Sequence, residues 1–297
     1  MAYTVDMSGG YHFAGDLRRE LCARNAEFAA TNKLMHVASY GEFPVTVYAP
    51  HDDGETHGNF HAPSYRAILK NAEWVKRLEK VHSSARSSLP RSERRWRELD
   101  SCTSSDALLM NIFCCPDVCS SKPVASMLGT EISDVPEFGY RARVPLKSAS
   151  NGSSAKTAKG PRERFDRTEV DMKLGSLLIE SKLTESDFQT APASLVVAYR
   201  DLEEVFDVES LPQAGERFIS YQLIRNVLAA QATDASFCVM LDARRPDLLE
   251  SWHTIIGCVR YADLRTRCKV LTWQELSGFL PRDLQKFLGI KYGILPE

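Results

Sequence analysis

Two short apolar segments joined by a glycine and a serine limit the possible folds of this chain more than any other feature. Residues 168–174 and 177–183 each have the length of a β-strand. A two-residue connection with glycine at its first central position is typical of a β-hairpin. Such a turn fixes the register of the two strands, and the sequence therefore predicts that Asp171 faces Glu180 across the hairpin.

The predicted hairpin has one polar and one apolar face, because side chains alternate along a strand. Asp171, Glu180 and Lys182 share the polar face. The apolar face is predicted to comprise Val170, Met172, Leu174, Leu177, Ile179 and Leu183. Like charges directly opposed in a sheet are destabilising, and a divalent cation offsets them because hard cations take carboxylate oxygens. The hairpin therefore predicts a metal site, and the alternative is an exposed strand with a Glu–Lys surface pair.

This arrangement resembles the PD-(D/E)XK superfamily of restriction-endonuclease-like proteins. In that superfamily, an acid on one strand and a [DE]-x-K run on the next bind one or two Mg²⁺ ions. Asp171 matches the first acid, Glu180 the second and Lys182 the lysine, whereas Val170 stands where the superfamily has proline. The runs at 104–113, 180–185 and 221–226 resemble a poorly characterised bacterial group of the same superfamily.

The resemblance implies an α/β fold with a mixed central sheet flanked by helices in residues 101–297. A partly helical N-terminal extension would occupy residues 1–100. Many members of the superfamily carry a glutamate on the first core helix, and residues 104–114 contain none. The number of metal ions therefore stays open.

The implied function is Mg²⁺-dependent hydrolysis of phosphodiester bonds, with Mn²⁺ as a possible substitute. Asp171, Glu180 and the backbone carbonyl of Ser181 would bind the metal, and Lys182 would position the attacking water. Cleavage would leave a 3′-hydroxyl and a 5′-phosphate. The expected substrate is DNA, although the sequence does not separate DNA from RNA and leaves endo or exo mode, specificity and oligomeric state open. The alternative is a catalytically inactive module that binds nucleic acid or protein on the same fold.

A second candidate site lies on the helix predicted over residues 216–231. Gln222, Arg225 and Asn226 have i, i+3 and i+4 spacing and share one face of that helix. We predict that this face binds substrate phosphate beside the metal. The alternative is an ordinary polar outer face.

Composition gives weaker indications. The net charge is −2, which argues against a protein that coats nucleic acid, although residues 86–97 and 141–167 are rich in arginine and lysine. No apolar run approaches the length of a membrane span, and the N-terminus does not resemble a signal peptide. We therefore expect a cytoplasmic protein with reduced cysteines. Two alternative metal sites have less support. One comprises Cys102, Cys114, Cys115 and Cys119, and the other comprises His51, His57 and His61 with Asp52, Asp53 and Glu55.

Overall fold

The computed structural model describes residues 12–39, 44–80, 97–132, 134–148 and 163–297. Twelve α-helices occur in these ranges: α1 (Phe13–Thr31), α2 (Ala62–Lys70), α3 (Ala72–Leu78), α4 (Ser105–Phe113), α5 (Lys122–Leu128), α6 (Ala193–Val196), α7 (Leu202–Val205), α8 (Tyr221–Ala232), α9 (Pro246–Gly257), α10 (Ala262–Arg267), α11 (Trp273–Ser277) and α12 (Arg282–Tyr292). Twelve strands occur in the same ranges: β1 (His36–Ala38), β2 (Thr46–Tyr48), β3 (Glu137–Arg141), β4 (Val144–Leu146), β5 (Arg164–Asp166), β6 (Glu169–Leu174), β7 (Leu177–Ser181), β8 (Thr190–Pro192), β9 (Gln213–Ala214), β10 (Arg217–Ile219), β11 (Ser236–Leu241) and β12 (Cys268–Thr272).

A five-stranded mixed sheet forms the centre of the molecule. Its strand order is β12-β11-β7-β6-β3. Strands β12, β11 and β7 run parallel, whereas β6 is antiparallel to both β7 and β3. The predicted α/β class with a mixed central sheet is thus confirmed.

Helices cover both faces of this sheet, because strand β11 is apolar on both sides. Phe237 and Val239 pack in a first core with residues of α8 and α9. Cys238 and Met240 pack in a second core with residues of α1, α4, α11 and α12. A strand buried on both faces is apolar along its whole length and does not alternate with polar residues. The sequence of β11 has this character.

The hairpin of β6 and β7 has the register that its turn predicts. The pairs are Met172 with Ile179, Lys173 with Leu178, and Leu174 with Leu177. Gly175 has a φ of +57°, a left-handed conformation that glycine adopts without steric cost.

The predicted apolar face of the hairpin is correct except at Val170. The other five residues pack in the second core, but Val170 packs in the first. The change occurs where Gly139 of β3, with a φ of +67°, lies between the pairs Phe138–Met172 and Tyr140–Val170. The register of β3 and β6 is continuous across this point, so the alternation along β6 is kept and Val170 differs from the other five only in the core that it joins.

Two predicted elements have different boundaries in the structure. The helix predicted over 216–231 begins only at Tyr221, because Arg217–Ile219 pairs with β8 and β9 and Ser220 has a φ of +57°. Residues 135–146, whose sequence also predicts a single strand, divide into β3 and β4. Amphipathic spacing alone did not reveal these interruptions, since both depend on pairing with distant segments.

The N-terminal part of the chain packs against the C-terminal helix. The Asn25 side chain of α1 donates to the carbonyl of Lys291 at 3.0 Å, and Lys291 donates to Asn59 at 2.7 Å. The division of the chain at residue 100 stays a prediction. Among the described helices, none combines the length and apolar character needed to cross a membrane.

Candidate active site

The first acid of the predicted site is held in place by the strand that carries the second. The backbone N–H of Ser181 donates to Asp171 Oδ2 at 2.7 Å, and the Ser181 hydroxyl donates to the same oxygen at 3.0 Å. The structure thus brings Asp171 of β6 to the end of β7. The carbonyl of Ser181 as a metal ligand stays a prediction.

Glu180 and Lys182 form a buried ion pair. Lys182 Nζ donates to Glu180 Oε1 at 2.8 Å, and the two residues are only 2% and 4% exposed. The backbone of Lys182 is fixed as well, since its N–H donates to Met240 and its carbonyl accepts from the Trp273 indole. The strand therefore presents the ammonium group in a single defined position.

The protonation of Asp171 and Lys182 depends on the charged residues around them. Burial raises the pKa of Asp171 well above its usual value, and the negative charges of Glu180 and Asp106 raise it further. Burial would lower the pKa of Lys182, but the negative charges of Glu180, Glu185 and Asp171 outweigh this effect and raise it above its usual value. Lys182 is therefore an ammonium ion at neutral pH, while Asp171 holds its proton more strongly than a free aspartate.

The three polar residues of α8 lie beside the acids, as the sequence predicted, but they bind protein groups. Gln222 Oε1 accepts from Lys182 Nζ at 2.9 Å. Asn226 Nδ2 donates to Glu180 Oε2 at 2.9 Å, and Arg225 Nη1 donates to Asn226 Oδ1 at 2.7 Å. Arg225 and Asn226 are fully buried, so the geometry favours orientation of Glu180 and Lys182 over direct phosphate contact.

Arg225 also connects α8 to the segment that precedes β6. Its Nε donates to Asp166 Oδ2 at 3.3 Å, and its Nη2 donates to the carbonyl of Thr168. Asp166 accepts from the Tyr199 hydroxyl at 2.5 Å. Of the arginines in the basic stretch 141–167, Arg164 and Arg167 are exposed near this connection, and position 162 lies outside the described residues.

Sequence reasoning missed Asp106, which α4 brings to the same site. Asp106 is 4% exposed and contributes to the raised pKa of Asp171. Ser104 caps this helix by accepting from the N–H of Ala107 at 3.1 Å, which places Asp106 in its first turn. The sequence analysis looked only for a glutamate on the first core helix and therefore overlooked this aspartate. An acidic residue in the first turn of that helix could have indicated it.

Glu185, Arg77 and Lys80 were also missed. Glu185 accepts from Ser105 Oγ at 2.5 Å and from the N–H of Leu183 at 2.7 Å, which ties the loop after β7 to the start of α4. Arg77 and Lys80 donate to Asp106 at 2.8 and 2.7 Å. Nothing in the local pattern of residues 62–81 distinguished these two cations from ordinary helix surface.

The two alternative metal sites do not assemble. Cys102, Cys114 and Cys115 pack in three different cores, and all eight cysteines are free thiols. His57 contacts Asp100, whereas His61 contacts Asp283. Across the described ranges, no group of three or more His, Cys, Asp or Glu residues is arranged to hold a metal ion.

Comparison with known proteins identifies the family of the chain. The model of the family described as Restriction Endonuclease associating with ARP matches residues 23–293. The chain belongs to this family. The predicted resemblance to restriction-endonuclease-like proteins is thus confirmed, and membership of this restriction endonuclease family implies interaction with nucleic acid. No curated protein and no solved structure matches the chain.

Proposed function

We propose that this chain is a Mg²⁺-dependent nuclease that hydrolyses phosphodiester bonds in DNA. The observation that carries the proposal is the convergence of Asp171, Glu180 and the Lys182 ammonium ion at one end of the hairpin. The description of the family as restriction endonucleases supports DNA as the substrate.

The donor set suits Mg²⁺, which Mn²⁺ could replace. Magnesium takes oxygen ligands, commonly uses only one or two carboxylates, and keeps several waters. Asp171 and Glu180 supply two carboxylates, and the negative charge of Glu180 raises the pKa of Asp171. A cation between the two carboxylates would relieve the repulsion that raises the pKa of Asp171.

Each residue then has a chemical task. Bound Mg²⁺ would polarise the scissile phosphate and lower the pKa of a coordinated water. Lys182, as a fixed ammonium group, would orient the attacking water and stabilise the negative charge that develops on the phosphate. Asn226 and Gln222 would hold Glu180 and Lys182 at their separation, and Ser181 would keep one Asp171 oxygen turned towards β7.

Digestion of circular and linear DNA with and without Mg²⁺ tests the proposal, with an RNA substrate in parallel. We expect cleavage of DNA only with Mg²⁺ or Mn²⁺. Loss of the circular form distinguishes endonuclease from exonuclease activity. Binding without cleavage under every metal condition would instead favour the inactive binding module.

Replacement of Asn226 by alanine tests the role of α8. We expect the activity or the Mg²⁺ affinity to fall about 10- to 100-fold, as is typical when a partner of a metal ligand is removed. Titration of cleavage rate with Mg²⁺ measures both. Gln231→Ala, further along the same helix and bonded to Arg267, is the control and should leave both values unchanged. Equal Mg²⁺ dependence in the Asn226 variant and the parent would exclude this role.

A further inference from the structure

Helix α3 is firmly attached to the edge of the central sheet. Trp74 donates its indole N–H to the carbonyl of Pro136 at 3.0 Å and packs edge-on against Phe138 of β3, with ring centroids 6.1 Å apart. Asn71 caps the helix by accepting from the N–H groups of Glu73 and Trp74. Side chains on the next turn of α3 therefore have a defined position over β3.

Arg77 extends from that turn to the acidic site. Its Nη2 donates to Asp106 at 2.8 Å and its Nη1 to Glu169 at 3.0 Å, and the side chain is 11% exposed. Asp171 is among the carboxylates that raise the pKa of Arg77 above its usual value, against the effect of burial. The guanidinium group thus belongs to the same electrostatic cluster as the first acid.

Gly139 makes room for this guanidinium group. A Cβ atom at position 139 would lie 2.4 Å from Arg77 Nη1, which is closer than nonbonded atoms approach. Gly139 lies in β3 between the residues that pair with Val170 and Met172, so it is the residue opposite Asp171. The left-handed glycine of β3 and the guanidinium group of Arg77 therefore meet beside the predicted metal site.

Lys80, which follows the end of α3, adds a second cation. Its Nζ lies 2.7 Å from Asp106 and 3.1 Å from Glu98. Its side chain is 31% exposed, which leaves it accessible from solvent. The almost completely buried carboxylate of Asp106 thus forms ion pairs with both Arg77 and Lys80.

We propose that Arg77 and Lys80 bind a phosphate of the nucleic acid at this site, an inference that rests on the proposed function. A guanidinium group matches the geometry of phosphate oxygens, and it retains donors beyond those used by two carboxylates. Binding of a divalent cation at Asp171 and Glu180 adds two positive charges to the cluster. This offsets the charge of the two acids and weakens their repulsion of an anion next to Arg77 and Lys80, and the phosphodiester is the anion that the reaction supplies.

The test compares Arg77→Met and Lys80→Ala with the parent chain. Binding of a short duplex DNA is measured in Mg²⁺ across a range of salt concentrations, and cleavage is measured under single-turnover conditions. Each lost phosphate contact should reduce the slope of log affinity against log salt by about one. At saturating DNA, Arg77→Met should also reduce the cleavage rate about 100-fold.

Controls separate this role from a structural one. Lys76→Ala removes a neighbouring cation that is 68% exposed and pairs with Glu73, and its salt slope should equal that of the parent. Measurements below the melting temperature of every variant exclude unfolding, and Lys80→Ala carries the test if Arg77→Met does not fold. A parental salt slope in the folded variants, with reduced thermal stability alone, would overturn the inference while leaving the nuclease intact. Absence of cleavage by the parent chain would instead refute the proposed function.

Discussion

Replacing Lys182 with methionine is expected to reduce DNA cleavage about 100- to 1000-fold, the effect of removing one donor that stabilises a developing negative charge. Affinity for DNA should change little, because the ammonium group is buried and contacts Glu180 and Gln222. Single-turnover cleavage and filter binding measure the two quantities separately. Because Glu180 loses its partner in this variant, we expect a loss of about 3–5 kcal/mol of stability. Glu180→Gln combined with Lys182→Met avoids that unpaired charge and serves as the stability reference.

The hairpin itself offers the matched control. Lys173 completes the second [DE]-x-K run of the chain, Asp171-Met172-Lys173, but pairs at 3.5 Å with the exposed Glu137. Lys173→Met should therefore retain parental cleavage and cost less than about 1 kcal/mol of stability. If the Lys182→Met variant cleaves DNA as fast as the parent chain, the reaction cannot be assigned to this site.

Replacing Asp171 with asparagine is expected to abolish Mg²⁺-dependent cleavage and, without metal, to stabilise the folded chain at neutral pH. The pKa of Asp171 is raised in the folded state by burial and by the charge of Glu180. The unfolded chain therefore releases this proton first as pH rises, and stability falls from about pH 4 up to the folded pKa. Asparagine carries no such penalty, so its advantage should disappear below about pH 4. Thermal melting across pH measures the effect.

Magnesium should reverse the order of the two proteins. A ligand that binds only the folded state stabilises it by about 2.7 kcal/mol at a concentration one hundred times Kd. The parent chain should therefore melt at a higher temperature in Mg²⁺, and Asp171→Asn should not respond. Asp263→Asn, which changes an exposed aspartate of α10, should behave as the parent does. Identical melting temperatures of the parent chain with and without millimolar Mg²⁺ would argue against a metal site at Asp171.

The position of the candidate catalytic residues also suggests how nucleic acid would reach them. Glu180 and Lys182 are enclosed by β11, α8 and α11, whereas Asp171 is partly exposed near the edge strand β3. Access is therefore expected from the side of β3 and α3. Arg77 and Lys80 occupy that side, which is consistent with their proposed phosphate contact.

The sequence by itself determined the hairpin, its register and the juxtaposition of Asp171, Glu180 and Lys182. These features depend on a two-residue turn and on alternation along adjacent strands, which are properties of contiguous residues. The N-cap at Ser104 was predictable for the same reason. The polar face of α8 was predictable from its spacing, although its bonds to Glu180 and Lys182 were not.

Only the tertiary structure decided which distant residues complete the site. Asp106, Arg77 and Gly139 meet at the hairpin from three separate elements, and no periodic pattern in any of these elements marks them. The same limit explains the error at Val170, because alternation places its side chain on a buried face but does not determine which core it joins. Local periodicity reports which face of an element is buried, whereas the neighbours of that face depend on how the elements pack.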